Sequence, residues 1–295
     1  MEQERREIST PDGRRLVLHV AGPASGPLVF FHAGTPGSPY LYEGMIGACV
    51  ERGLRIVCVA RPGYSGSTRL RGRSYADNHA DTAVVADVMG AERFYVVGHS
   101  GGGPPALGDA AQLGDRVKAV AVASMLAPRI GMGPDWWTDL EGANGDELRA
   151  VQAGELALRG LVKGWAEEMH AVENGEDITS HPNFGRFYSA VDQACFAGDF
   201  LDFELESYWR ILKGIDGWID DDFALYGDWG FDPAQIEVPV FIWHGYRDNI
   251  VPATHAEWLM RNVPGAERRR RPEEGHVSLI AKRFGDILDE LVALE

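Results

Sequence analysis

Tyr95-Val96-Val97-Gly98-His99-Ser100-Gly101-Gly102-Gly103-Pro104-Pro105-Ala106-Leu107 decides how the rest of the chain is read. Its first half, from Arg93 to Val97, is a short apolar run that fits a buried parallel strand. Its second half opens a helix through Ala106 and Leu107 to about Leu113. Between them lies Gly98-His99-Ser100-Gly101-Gly102, a G-x-S-x-G pattern. A strand that passes into a helix across one residue holds that residue in a strained backbone conformation. Glycines two before and two after Ser100 remove the side chains that would collide there. The serine hydroxyl then stands above the strand ends, with N–H groups of the first helical turn aimed toward it.

Outward from this turn, strands and helices alternate. Residues 4–20 read as a hairpin around Pro11-Asp12-Gly13. Leu28–Phe31 is a buried strand that runs into His32-Ala33-Gly34-Thr35-Pro36-Gly37-Ser38. Tyr42 to Arg52 is a helix. Leu54–Ala60 is a strand ending in Arg61-Pro62-Gly63-Tyr64-Ser65-Gly66-Ser67. A helix over Tyr75–Met89, the strand and helix of the serine turn, and a strand over Val117–Ala123 follow. The alternation resumes with Val238–His244, a helix over Pro252–Asn262, a short edge strand over Arg268–Arg271 and a closing helix over Val277–Leu294. Such order predicts a parallel sheet covered on both faces, with an antiparallel hairpin at its start. Reactive groups in such sheets collect in loops at the C-terminal strand ends, where each motif above falls.

The interval 129–232 breaks the pattern. It holds 22 Asp and Glu against 7 Lys and Arg, and six of the eight tryptophans, while the remainder is nearly neutral. It has helical patches at Glu147–Lys163, Trp165–Glu173 and Phe200–Leu212. We therefore expect a core of 1–128 and 233–295, and a separate helical substructure over 129–232. The chain as a whole carries a net charge of −16, which disfavours nucleic acid and anionic membrane surfaces as partners. No run of about 18 apolar residues exists for a membrane span. The charged N-terminus lacks the apolar region of a secretory leader, and the three cysteines form no CxxC pair. A cytoplasmic protein with reduced thiols is expected, and a homo-oligomer is left open.

A serine hydroxyl needs a base, and the base needs an orienting group. Among the histidines, His276 in Glu273-Glu274-Gly275-His276-Val277 has the fitting place, after the last strand and before the final helix. The orienting acid is expected at Asp248, in the turn after the Val238–His244 strand. Asp220, Asp221, Asp222 and Asp228 are rivals, but none follows a clear sheet strand. Two N–H groups are expected to receive a tetrahedral oxyanion, those of Gly101 and Thr35. Trp136 and Trp137, just past the Val117–Ala123 strand, are expected to face the substrate.

Taken together, the Gly34–Ser38 loop, Arg61–Ser67, the serine turn, His244–Pro252 and Gly275-His276 resemble the α/β-hydrolase fold superfamily, serine-nucleophile branch. That resemblance implies an eight-stranded, mostly parallel sheet flanked by helices. It also implies a Ser–Asp–His triad, no metal or other cofactor, and a helical cap inserted before the strand that carries the acid. It departs from the family in Ala33-Gly34, where His-Gly is usual. Serine at the turn disfavours the epoxide-hydrolase and dehalogenase branches, which use aspartate. The expected activity is cleavage of a small, largely apolar ester or lactone, the small molecule being the only partner expected. An aminopeptidase resembling proline iminopeptidases, a carbon–carbon bond hydrolase and a ligand receptor on the same fold are the alternatives.

Overall fold

The computed structural model describes residues 2–137, 140, 142–173 and 187–294. Alternating side chains around the Pro11–Gly13 turn form β1 (Glu4–Ser9) and β2 (Arg15–Ala21), an antiparallel pair. β3 (Leu28–His32), β4 (Arg55–Val59), β5 (Phe94–His99), β6 (Val117–Ala123), β7 (Val240–Gly245) and β8 (Glu267–Arg271) complete an eight-stranded sheet of order β1-β2-β4-β3-β5-β6-β7-β8. β2 meets β4 antiparallel, and every pairing from β4 onward is parallel.

The period of two along each strand divides the core into layers. On one face Val29, Phe31, Ile56, Cys58, Tyr95 and Val97 pack under α1 (Glu43–Glu51) and the closing helix His276–Val292. On the other, Leu28, Phe30, Val57, Phe94, Val96 and Val120 pack under α2 (Asn78–Met89) and α3 (Gly103–Leu113). Crossover helices on both sides leave the C-terminal strand ends free to carry loops. β8 is the edge strand that its arginines suggested. Their charges are offset by neighbours such as Glu257 and Glu290, and Arg271 lies over the Trp243 ring.

Among the described residues, the interval between β6 and β7 contains helices and no strand. They are α4 (Arg129–Met132), α5 (Gly142–Ala153), α6 (Glu155–Glu173), α7 (Ala190–Gln193), α8 (Gly198–Leu212) and α9 (Asp216–Tyr226). α10 (Ala253–Asn262) and α11 (His276–Val292) follow β7 and β8. Residues 174–186 of the expected insertion lie outside the described residues.

Two differences from the sequence reading have physical causes. The helix break falls at Gly154, with φ at +101°, and not near Gly164. Leu158, Val162 and Trp165 form one apolar stripe that carries α6 straight through Gly164. The second is α9, which the acid run Asp220-Asp221-Asp222 disguised. Ordinarily three adjacent acids mark a solvated turn, but all three are buried here. Arg69 pairs with Asp220, and Arg61 and Arg73 pair with Asp221.

Asp222 differs from its neighbours. It is fully buried, and neither carboxylate oxygen has a hydrogen-bond partner among the described residues. Burial, with Glu147 and Asp221 close by, pushes its carboxyl well above the usual range. Burial also lifts Glu147 to about 7, despite donors from Trp218 Nε1 and Tyr226 OH. A folded-state carboxyl raised above its unfolded value favours the fold only while protonated, so this contribution is lost as pH rises. Wild-type stability should therefore fall between pH 5 and pH 8. Asp222→Asn is expected to recover about 1–3 kcal/mol at pH 8 and less at pH 5. Urea unfolding at the two pH values measures this, and an equal effect at both contradicts it.

Candidate active site

The chain turns at Ser100 with φ at +52°, a left-handed conformation that a side chain adopts at a cost of about 1–2 kcal/mol. Close packing holds it there. A Cβ on Gly98 would lie 2.4 Å from the Gly102 carbonyl oxygen, and one on Gly102 would lie 2.0 Å from that of His32. Both glycines that flank the serine are thus required by contact, as the pattern implied.

His276 is the first residue of α11, and Asp248 lies in the turn after β7. His276 Nδ1 and Asp248 Oδ2 are 3.0 Å apart. The other oxygen of Asp248 accepts the N–H groups of Ile250 and Val251 at 2.8 and 2.9 Å, which fixes the carboxylate in the turn. Burial raises the Asp248 carboxyl, but His276 more than offsets this and holds it below the usual value. Burial likewise lowers the His276 imidazole, and Asp248, with Asp192 and Glu204 behind it, outweighs that and holds it above the usual value. The adjacent His99 donates from Nε2 to the His276 carbonyl oxygen at 3.0 Å. Burial and His276 keep His99 neutral, at about 3.

Thr35 and Gly101 meet across the mouth of the sheet. A Cβ on Gly101 would lie 2.9 Å from Thr35 N. Arg61 donates to the carbonyls of Ala33 and Gly34, each at 2.6 Å. The Gly34 carbonyl and the Thr35 N–H share one trans peptide, so this N–H points away from Arg61. Arg61 is held in turn by Asp221 of α9, whose Oδ2 also accepts from Thr35 Oγ1 and Tyr64 OH at 3.0 Å each. His32 does not reach this loop's open side. Its Nε2 lies 2.8 Å from Asp109 of α3, inside the core.

Ser100, His276, Gly34 and Thr35 line a cavity of about 270 Å³. Much of the wall is aromatic: Tyr188, Phe196, Phe200, Phe203, Tyr208 and Trp218, all from between β6 and β7. Glu204 of α8 also reaches it, raised by burial to about 7. No lysine or arginine lines it among the described residues.

A family model described as the alpha/beta hydrolase fold matches residues 26–282. The chain belongs to the α/β-hydrolase family. This α/β-hydrolase is 28% identical over 253 residues to a bifunctional esterase/perhydrolase of Acinetobacter calcoaceticus, covering 83% of each chain. It is 33% identical over 127 residues to epoxide hydrolase A of Mycobacterium tuberculosis, covering 42% of this chain and 39% of that one. Among solved structures, the enol-lactonase of Burkholderia xenovorans superposes with a TM-score of 0.71 at 16% identity, covering 98% of this chain and 100% of that one. That likeness concerns the fold.

The structure thus brings Ser100, His276, Gly101 and Thr35 to one place, with Asp248 directly behind His276. It does not bring Trp136 and Trp137 there. Trp136 is fully buried, donates to the Ala127 carbonyl at 2.7 Å and packs edge-on against Tyr226 and His255. Trp137 is 43% exposed, and neither ring lines the cavity. The short helical stretch after α4 turns Trp136 toward His255 of α10, and the later helices supply the aromatic wall.

Of the rival acids, Asp221 holds the Thr35 loop and is a partner of Arg61, which the motif Arg61–Ser67 had already marked. Asp192 was missed, because nothing in a lone aspartate at the start of a short helix shows that it reaches another helix. Among the described residues, no group of three or more His, Cys, Asp or Glu side chains is placed to hold a metal ion. No helix among them is long and apolar enough to cross a membrane.

Proposed function

We propose that this α/β-hydrolase is a serine hydrolase that cleaves a small, largely apolar ester or lactone through an acyl-enzyme. The observation that carries the reading is the His276–Asp248 hydrogen bond, buried beside a cavity that also exposes a left-handed Ser100. Ser100 Oγ attacks the ester carbonyl as His276 Nε2 takes its proton, and Asp248 holds the imidazole in the tautomer this needs. The Gly101 and Thr35 N–H groups receive the oxyanion. The tetrahedral intermediate collapses, and His276 returns the proton to the leaving alkoxide. Water, deprotonated by His276, then releases the acid and restores Ser100.

Residues 129–232 act as the cap, and their aromatic side chains give the acyl pocket its apolar character. The cavity volume suits a small acyl group, and the lack of a lysine or arginine in the described wall disfavours anionic ones. The relative named as a bifunctional esterase/perhydrolase supports this reading. Glu204 in the wall keeps the aminopeptidase alternative in the test, since a carboxylate there suits a substrate ammonium.

A fluorophosphonate probe should label the wild-type protein and leave Ser100→Ala unlabelled. Labelling of both, or of neither, contradicts the role of Ser100. A panel of acyl p-nitrophenyl esters, lactones, aminoacyl amides and β-diketones then sorts the bond cleaved. Turnover confined to aminoacyl amides or β-diketones overturns the ester reading.

A further inference from the structure

We propose that Asp192, supplied by the helical interval between β6 and β7, is a positioning residue for the base His276. The inference rests on the proposed role of His276 and goes beyond it.

α11 begins with His276, and its first N–H groups have no partners within the helix. The residue at its cap position is Gly275, which has no side chain to offer. Asp192 fills that role from a distant part of the chain. Its Oδ2 accepts the His276 N–H at 3.0 Å, and its Oδ1 accepts those of Val277 and Ser278 at 2.9 and 2.8 Å. Ser189 Oγ donates to the same Oδ2 at 2.7 Å. The carboxylate is fully buried, so these bonds stand in for its lost water. Glycine at 275 is part of the arrangement, since a Cβ there would lie 2.2 Å from Asp192 Oδ2.

The His276 backbone is thus pinned by the insertion while its ring is pinned by Asp248 of the core. Val277, the next residue, packs with Phe196 and Phe200 from the same interval. A displacement of α7 therefore carries the base with it, and about 1 Å at a reacting group lowers turnover on the order of 10²-fold. The negative charge acts on the imidazole as well. The titratable groups that face His276 are Asp248 beyond β7, His244 on β7, His99 on β5, Asp192 on α7 and Glu204 on α8. Of these, the three carboxylates favour the protonated ring, and the two histidines are themselves lowered by burial and by His276.

Asp192→Asn keeps the shape, removes the charge and sets an amide N–H₂ against donor N–H groups. With a p-nitrophenyl ester, kcat should fall about 10- to 100-fold with KM changed less than about threefold. The acid limb of kcat/KM should move to lower pH. An independent readout is the ¹⁵N-histidine NMR titration of His276 in the full chain, where the same substitution should lower the midpoint. A folded variant with unchanged kcat and an unchanged His276 midpoint overturns the proposal.

Gly275→Ala is the second variant, because φ at −105° lies outside the left-handed region and its methyl displaces the carboxylate. It should lower kcat in the same way, and it decides the matter if Asp192→Asn does not fold. If the wild type neither hydrolyses esters nor takes the probe, the proposed activity fails, and the NMR midpoint still decides Asp192.

Discussion

Ser100→Ala is expected to lower kcat for a p-nitrophenyl ester by on the order of 10⁴- to 10⁶-fold with little change in fold. Alanine removes Oγ and leaves every contact that shapes the turn, because those contacts are made by Gly98, Gly102 and the carbonyls they touch. Asp248→Asn is expected to lower kcat on the order of 10⁴-fold by a different route. An amide N–H₂ in place of the carboxylate favours the wrong imidazole tautomer and withdraws the charge that holds His276 above its usual value. The residual activity of Asp248→Asn should therefore lose its acid limb at lower pH than the wild type, since a base with a lower pKa stays neutral further into acid. The double variant should lose no more than Ser100→Ala alone, because the residues act as one unit. Stopped-flow burst amplitudes and pH profiles measure both effects. A Ser100→Ala protein that still shows a burst of p-nitrophenol contradicts the acyl-enzyme.

The pair His276–Asp248 was legible because each residue sits directly after a sheet strand, where local pattern and topology say the same thing. The turn at Ser100 was legible for a steric reason, since only glycines fit at 98 and 102. Strands such as Val117–Ala123 were readable because burial on both faces leaves a continuous apolar run. The cavity wall was not readable in the same way. Trp136 and Phe200 are both aromatic residues on helical segments of the insertion, and only tertiary packing puts the first inside the core and the second on the cavity. α9 was hidden because Asp220 and Asp221 are matched by Arg61, Arg69 and Arg73, roughly 150 residues earlier. Asp192 was hidden for the same reason, as its partners are backbone N–H groups that leave no mark in sequence.

The long-range pairing that hid α9 also sets the largest expected effect on stability. Asp221→Asn should destabilise the protein by about 3–5 kcal/mol at pH 7, because it leaves two buried guanidinium groups without their counter-ion. Asp221, Arg61 and Arg73 are all buried, and Asp221 accepts from both arginines, from Tyr64 and from Thr35. Burial raises the Asp221 carboxyl, but Arg61 and Arg73 outweigh it and hold it below its usual value. A folded-state value below the unfolded one gives stability that is present above the unfolded pKa and lost as pH falls through the folded one. The difference between wild type and variant should therefore be largest near pH 7 and shrink below about pH 4. Arg73 offers the decisive control. Its Nε and Nη1 are buried without a partner among the described residues, so Asp221 is the group that compensates its charge. Arg73→Met combined with Asp221→Asn should thus be more stable than Asp221→Asn alone. Arg61 still bonds the carbonyls at 33 and 34 in that double variant, so the Thr35 loop stays partly held. Urea unfolding followed by tryptophan fluorescence reads the wild type, Asp221→Asn, Arg73→Met and the double variant. If the double variant is as unstable as the two single losses summed, the arginine charge is not what Asp221 neutralises, and α9 is held to the core by packing instead.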